Sequence, residues 1–328
     1  LSSWHVISLI YAVIGLIFAH YTFTAYTGLY TLAAALVGIG VGRRLPIFKP
    51  ITFISVFGIS FAAYELLIYQ LIQSKGGQAG DGIILLSTLA CAIAIIYCFC
   101  SRWLLFYWRL TSQELLIITH IHWGVGSLFS LLALGVNLSN FGSNLWLVVT
   151  VVLAAYAAWQ GRNHHFWVYL GVIQFTIAIA HLLNRILPLS ALLSWSAAIA
   201  CVYAYLLYSL PWQTWGWSKQ PWQRSATVLP GAIVLLTFSE ISIQGLFIVA
   251  AFYAWLARVE NKIRLSYISI VLADWAIIRL IQNWQFTDPL WYVSILSGSL
   301  LYVVQVDPTL RSPTEKEKRH ILRTLAVG

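Results

Sequence analysis

Long apolar stretches separated by short polar gaps run along the whole chain. A helix that crosses a bilayer needs about 20 mostly apolar residues, within a range of about 17–25. Most of the stretches reach this length when flanking Thr, Tyr and Trp residues are counted. The pattern predicts an all-α integral membrane protein with about twelve transmembrane helices. These cover residues 5–26, 28–42, 51–72, 82–107, 115–136, 145–159, 166–187, 189–210, 226–241, 246–256, 265–284 and 290–304.

The basic residues are distributed unevenly among the gaps. Sixteen of the nineteen lie in every second gap, and the other three are Lys75, Arg185 and Arg279. Short loops that stay in the cytoplasm carry such an excess of Lys and Arg. The alternation therefore predicts that the helices cross in turn and that both termini are cytoplasmic. The sixteen residues are Arg43, Arg44, Lys49, Arg102, Arg109, Arg162, Lys219, Arg224, Arg258, Lys262, Arg264, Arg311, Lys316, Lys318, Arg319 and Arg323.

The composition is that of a protein surrounded by lipid. Charged residues make up 9% of the chain and the mean hydropathy is +0.81, whereas a soluble domain carries about 25% charged residues. So few charges can serve the loops of a membrane protein but cannot cover a water-exposed surface. The formal net charge of +9 is spread thinly over cytoplasmic turns. It therefore indicates anionic lipid headgroups, and not nucleic acid, as its partner.

The residues at the two ends of the chain lead to two further expectations. Methionine is absent, and Leu1 lies close to the first apolar stretch. We therefore expect an internal stretch of a longer protein, or one whose ends are incompletely identified. No basic region precedes the first apolar stretch, so no cleavable signal peptide is predicted.

One arrangement of helices and turns recurs three times. The stretches that begin at Gly28, Asn144 and Gly245 each contain a short apolar helix, a basic turn and a long apolar helix with a titratable residue late in it. This predicts three parallel four-helix units, at 1–110, 111–222 and 223–312, and leaves 313–328 as a basic cytoplasmic segment that leads toward a further unit. Because the second helix of each unit is short, a re-entrant hairpin of its first two helices is an alternative to full crossings.

Five ionisable residues within the predicted helices form a candidate intramembrane polar site: Glu65, His181, Arg185, Asp274 and Arg279. Ionisable groups in lipid are expensive and often mark ion or proton pathways. Glu65, His181 and Asp274 occupy similar places in the third helices of their units, so convergence of these helices would create a proton relay or an anion site. In the alternative interpretation, the arginines extend to the outer interface and the carboxylates pair with them.

Three further intramembrane histidines, His20, His120 and His122, are candidate ligands for haem or chlorophyll. His120 and His122 are two residues apart and point to different faces, so they do not chelate one metal from one helix. Each is alternatively a hydrogen-bonded packing residue. The four cysteines lie in apolar stretches without metal-site spacing and are interpreted as small hydrophobic residues. The sequence requires no metal and no cofactor.

The sequence lacks the motifs of the common enzyme classes. It contains no nucleotide-binding loop, nucleophile elbow or zinc-protease motif, and its loops are too short for a soluble catalytic domain. This argues against an enzyme and favours a structural, assembly or accessory subunit that contacts the lipid bilayer and other membrane proteins. The alternatives are a transporter or channel for an ion or small anionic solute, and a pigment- or haem-binding subunit.

The repeated unit and two phrases carry a family resemblance. The phrases are FWVYLGVIQFTIAIAHLL, from Phe166, and LWYVSILSGSLLYVVQVDPTLR, from Leu290. They resemble repeat-built polytopic membrane proteins of unknown function from cyanobacteria, without a diagnostic motif. The resemblance implies a bacterial plasma or thylakoid membrane, but no activity and no functional residue.

Overall fold

The computed structural model describes residues 3–44, 49–306 and 316–327, and the regular elements in these ranges are all α-helices. The chain divides into two compact units, unit 1 (Leu1–Ala157) and unit 2 (Ala158–Gly328). The helices of unit 1 are α1 (Ser3–Tyr21), α2 (Thr27–Arg44), α3 (Lys49–Gln73), α4 (Ala79–Phe99), α5 (Ser101–Trp108), α6 (Ser112–Leu134) and α7 (Asn140–Gln160). The boundary between the two units lies in the last turn of α7. The helices of unit 2 are α8 (His165–Asn184), α9 (Leu189–Ser209), α10 (Lys219–Leu236), α11 (Ile243–Glu260), α12 (Ile263–Asn283), α13 (Pro289–Val306) and α14 (Lys316–Val327).

The membrane class predicted from the apolar pattern is confirmed. Each of the twelve predicted stretches overlaps a long helix, and one of them, 82–107, also includes the short α5. In the described ranges, nine helices are long and apolar enough to cross a bilayer. The nine are α1, α3, α4, α6, α7, α8, α9, α11 and α12. Since α2, α10 and α13 are shorter or more polar, the number of twelve crossings stays a prediction.

The helix bounds differ from the prediction in several places. For example, α10 begins at Lys219, seven residues before the predicted stretch 226–241, and ends at Leu236, five residues before the end of that stretch. The predicted stretch 82–107 is divided at Cys100 into α4 and the short α5. At about 1.5 Å per residue, the 21 residues of α4 already span the hydrocarbon core, so Arg102 and the aromatic residues after it start a separate helix. The second predicted helices of the later units are also longer than expected, with 21 residues in α7 and 18 in α11. Both are long enough for a full crossing.

Local sequence signals set the starts of several helices. Thr111 and Glu114 form a capping box at the start of α6, in which each side chain accepts a hydrogen bond from the other residue's backbone N–H. Lys49, in the first turn of α3, lies 3.3 Å from the Glu114 carboxylate. The capping box therefore also joins the starts of α3 and α6.

Small and polar residues allow the helices of unit 1 to pack closely. A Cβ atom added at Gly28 of α2 would lie 2.7 Å from the carbonyl oxygen of Ala62 in α3. Ser87 of α4 donates a 2.7 Å hydrogen bond to the carbonyl oxygen of Gly126 in α6. Helices in lipid associate through this combination of small residues and interhelical hydrogen bonds. Gly28 and Gly38 of α2 thus act in packing, as their apolar context indicates.

In unit 2, Arg162 is enclosed by tryptophans. Its guanidinium lies 4.2 Å from the ring centroids of both Trp159 and Trp217 and donates to the carbonyl oxygen of Trp215 at 2.9 Å. Trp217 in turn donates to the carbonyl oxygen of Ala158. Arg162 therefore contributes cation–π contacts that hold the segment before α10, in addition to its part in the charge pattern.

The three predicted repeats are neither contradicted nor confirmed. The boundary between the compact units lies inside the predicted second repeat, 111–222, but compactness alone does not compare one group of helices with another. Glu65 and His181 are each the seventeenth residue of their helices, counted from Lys49 and His165. Within the predicted basic segment 313–328, residues 313–315 and 328 lie outside the described residues, and α14 covers the rest. Arg311 also lies outside the described residues.

We expect the topology to be measurable with impermeant thiol reagents. In a variant without the four native cysteines, a single cysteine at Arg44 or Lys262 should react only from the cytoplasmic side, because these positions lie in basic gaps. A cysteine at Gly76, where an added Cβ meets no atom within 4 Å, should react only from the opposite side. Reaction of Gly76 and Lys262 positions from the same side would contradict the alternating topology.

Candidate functional site

The most buried carboxylate of the predicted site is paired with a histidine. Glu65 of α3 is 4% exposed, and its Oε1 lies 2.5 Å from Nε2 of His20 in α1. The other ring nitrogen of His20, Nδ1, donates to the carbonyl oxygen of Leu16 at 2.8 Å. The pair joins α1 to α3, and it was missed in the sequence because the two residues are 45 positions apart.

The second carboxylate oxygen of Glu65, Oε2, has a different environment from Oε1. Oε2 is buried and makes no hydrogen bond with the described residues. The hydroxyl of the adjacent residue, Tyr64, is also buried and without a hydrogen-bond partner there. Buried polar atoms are normally satisfied. These two atoms therefore mark the part of unit 1 in which a proton, a water molecule or a ligand atom would be stabilised.

The carboxylate predicted in the third repeat also bonds to a neighbouring helix. Asp274 of α12 accepts a 2.6 Å hydrogen bond from the hydroxyl of Ser299 in α13. Arg279, five residues later, donates from Nη1 to the carbonyl oxygen of Ile241, which lies just before α11. The ion pairs found among the described residues do not join Asp274 to Arg279. Their i,i+5 spacing explains this, because it places the two side chains on different faces of α12.

His181 and Arg185 lie at the end of α8. Arg185 is the residue that follows the helix, and its positive charge acts on His181 one turn earlier. This agrees with the i,i+4 relation in the sequence. Within unit 2, α8 packs against α9 and α10, whereas α12 packs against α11 and α13. His181 and Asp274 are thus on helices with different immediate neighbours, and Glu65 belongs to unit 1, so convergence of the three residues stays a prediction.

The three candidate pigment ligands differ in what their rings contact. Both nitrogens of His20 are hydrogen-bonded, so His20 has no lone pair left for a metal. His120 contacts the ring of Tyr156. His122 is 3% exposed, donates from Nδ1 to the carbonyl oxygen of Ile118 at 2.8 Å, and lies among the rings of Phe57, Tyr64 and Tyr97.

Comparisons with known proteins add no family to this description. No family model matches the chain, and no significant similarity to a curated protein or to a solved structure was found. The resemblance to cyanobacterial repeat proteins therefore rests on the sequence phrases alone. The membrane setting follows from the nine membrane-length apolar helices in the described ranges.

Proposed function

We propose that the protein is a structural or accessory subunit of a membrane complex, in which intramembrane polar groups join helices. One observation carries this proposal. Glu65, Asp274 and Arg279 each bond to a segment other than their own helix. In lipid, such hydrogen bonds act as links between helices that have no hydrophobic drive to associate. A residue engaged in this way has a structural role without any transported ion.

The surface of α1 supports a partner-facing role. No residue of α1 is buried within the protein, although the helix is apolar and long enough to cross the bilayer. Four of its aromatic residues are each at least 71% exposed: Trp4, Tyr11, Phe18 and Tyr21. Aromatic side chains are enriched both at protein interfaces and at the membrane–water boundary. We propose that lipid and another membrane protein share this surface.

The proposed membrane and the proposed orientation are based on the sequence resemblance and on the charge pattern. We place the protein in a bacterial plasma or thylakoid membrane, with both termini in the cytoplasm. Its basic gaps would then face the anionic headgroups of the cytoplasmic leaflet. The proposal assigns it no nucleic-acid partner.

A transporter or channel is the second candidate, and one observation favours it. The buried Oε2 of Glu65 makes no hydrogen bond with the described residues. A carboxylate oxygen without a donor is where a proton binds most readily, and intramembrane carboxylates of this kind serve in proton relays. In this interpretation His20 would exchange protons with Glu65.

Flux and assembly measurements on the same variants distinguish the two candidates. We expect parent proteoliposomes with a trapped pH-sensitive dye or an external chloride electrode to show no more flux than empty liposomes. We also expect the parent protein, solubilised mildly from its membrane, to run in a complex larger than its own 36.8 kDa. Glu65→Gln and Asp274→Asn should lower its abundance or the fraction in that complex, because each weakens a link between helices.

Glu240→Gln is the matched control, since Glu240 is an exposed carboxylate in the turn before α11. It should leave both abundance and assembly unchanged. Proton or chloride flux that is present in the parent and lost in Glu65→Gln or Asp274→Asn would overturn the assembly proposal in favour of transport. A parent protein found only as a free single chain would also overturn it.

A further inference from the structure

Unit 1 contains a cavity beside His122. Its volume is about 690 Å³, within the range of about 300–1,000 Å³ typical of small-molecule and cofactor sites. The walls come from α1, α2, α3 and α6 and are almost entirely apolar. Ile17, Ile54 and Phe61 on its rim are exposed. The cavity therefore opens at the surface of unit 1, where a lipid-soluble molecule can enter.

His122 has the form of imidazole that can ligate a metal. Its Nδ1 bonds to a carbonyl oxygen, which only accepts hydrogen bonds, so Nδ1 carries a proton. In these apolar surroundings the neutral ring is favoured, because a charged one would lack compensation. Nε2 then retains its lone pair, and it makes no hydrogen bond with the described residues. An Nδ1–H bonded to a backbone carbonyl is the usual second contact of a metal-ligating histidine.

Aromatic neighbours hold the His122 ring in a fixed orientation. The rings of Phe57 and Tyr64 lie nearly parallel to the imidazole, at interplanar angles of 16° and 8°. Both residues line the cavity. The buried Tyr64 hydroxyl, which lacks a partner among the described residues, can donate a hydrogen bond to an oxygen of the ligand. The unit thus offers one oriented metal ligand, apolar walls and one unused donor.

The ligand set excludes a simple metal ion from this cavity. No group of three or more His, Cys, Asp or Glu side chains that could hold an ion occurs in the described ranges. A metal that binds here must bring most of its ligands with it. A tetrapyrrole does so, because its ring nitrogens supply four ligands and leave an axial position for one imidazole.

We propose that this cavity of unit 1 binds a metal-centred tetrapyrrole, with Nε2 of His122 as the axial ligand and the Tyr64 hydroxyl bonded to a peripheral oxygen of the macrocycle. His20 and His120, the other two intramembrane histidines of unit 1, have no ligating role. The site is independent of the assembly role proposed above, since a structural subunit and a transporter can each carry such a group.

Titration with haem and with zinc protoporphyrin tests the proposal. We expect the purified full chain in detergent micelles to give a saturable shift of the porphyrin absorbance band at one equivalent, which empty micelles do not give. His122→Gln should weaken binding by at least about tenfold. His120→Gln, two residues away on the same helix, is the matched control and should bind like the parent. Tyr64→Phe should weaken binding about three- to tenfold through the lost hydrogen bond.

His122→Gly separates ligation from folding. Free imidazole should restore the axially ligated spectrum of this variant, which a merely structural role of His122 would not permit. Thermal unfolding of each variant verifies that it is folded before titration. Equal binding by the parent and His122→Gln, or the lack of a saturable shift in the parent with either porphyrin, would overturn the proposal.

Discussion

Replacing His20 by leucine is expected to destabilise the protein by about 1–3 kcal/mol, because the buried carboxyl of Glu65 then loses its hydrogen-bonding partner. Glu65→Leu should have a smaller effect, since the His20 side chain that it leaves unpaired is 39% exposed and can reorient. The double variant should be less destabilised than His20→Leu alone. Removing both members of a buried pair leaves no uncompensated polar group.

A double-mutant cycle measures this coupling. Reversible unfolding in mixed micelles of a mild detergent and SDS, followed by tryptophan fluorescence, gives the four free energies of unfolding. We expect a coupling energy of about 1 kcal/mol or more. Lys49→Gln is the control, because the Lys49–Glu114 pair is more exposed and should contribute less than about 1 kcal/mol. Single effects that simply add within about 0.5 kcal/mol would show that His20 and Glu65 do not stabilise each other.

Gly28→Ala is expected to destabilise the packing of α2 on α3 by about 1–3 kcal/mol. The added methyl group would lie 2.6 Å from Cγ of Leu66 and 2.7 Å from the carbonyl oxygen of Ala62. The carbonyl belongs to the backbone of α3, so no side-chain rotation removes the clash and the two helices must separate. The midpoint of thermal unfolding in detergent should fall accordingly.

Two other glycines of the same helix serve as graded controls. At Gly38, the methyl group would meet mainly the Ser55 hydroxyl, which can rotate away, so Gly38→Ala should have an intermediate effect. At Gly40, it would meet no atom within 4 Å. Gly40→Ala should therefore be neutral, or stabilising by up to about 1 kcal/mol through helix propensity. A different order of the three variants would contradict the described α2–α3 interface.

The fold class could be predicted because it depends on composition averaged over whole segments. Twenty apolar residues in a row must be helical in lipid, where every backbone amide needs an internal partner, and each predicted stretch is helical over most of its length. The ends of the helices were less predictable. The division at Cys100 and the extension of α11 to Glu260 depend on a few polar residues that belong equally well to a helix end or a turn.

The candidate site was predicted as a set of residues but not as a set of contacts. Glu65 and Asp274 stood out because ionisable groups are rare in apolar stretches, yet their partners, His20 and Ser299, did not. Since α1 and α3 run in the same direction in an alternating topology, His20 and Glu65 both lie in the later parts of their helices. This made a contact feasible, but the rotation of each helix about its axis decided it.

By itself, the sequence determined that this protein is helical and built for a membrane, because the solvation of apolar segments acts on each segment independently. The charge pattern likewise predicts the orientation of the loops without reference to any contact. Only the tertiary structure decided which helix faces which. It pairs His20 with Glu65, encloses Arg162 between two tryptophans and places His122 at a cavity. These contacts depend on helix rotation and close approach, which side chains distant in sequence determine together.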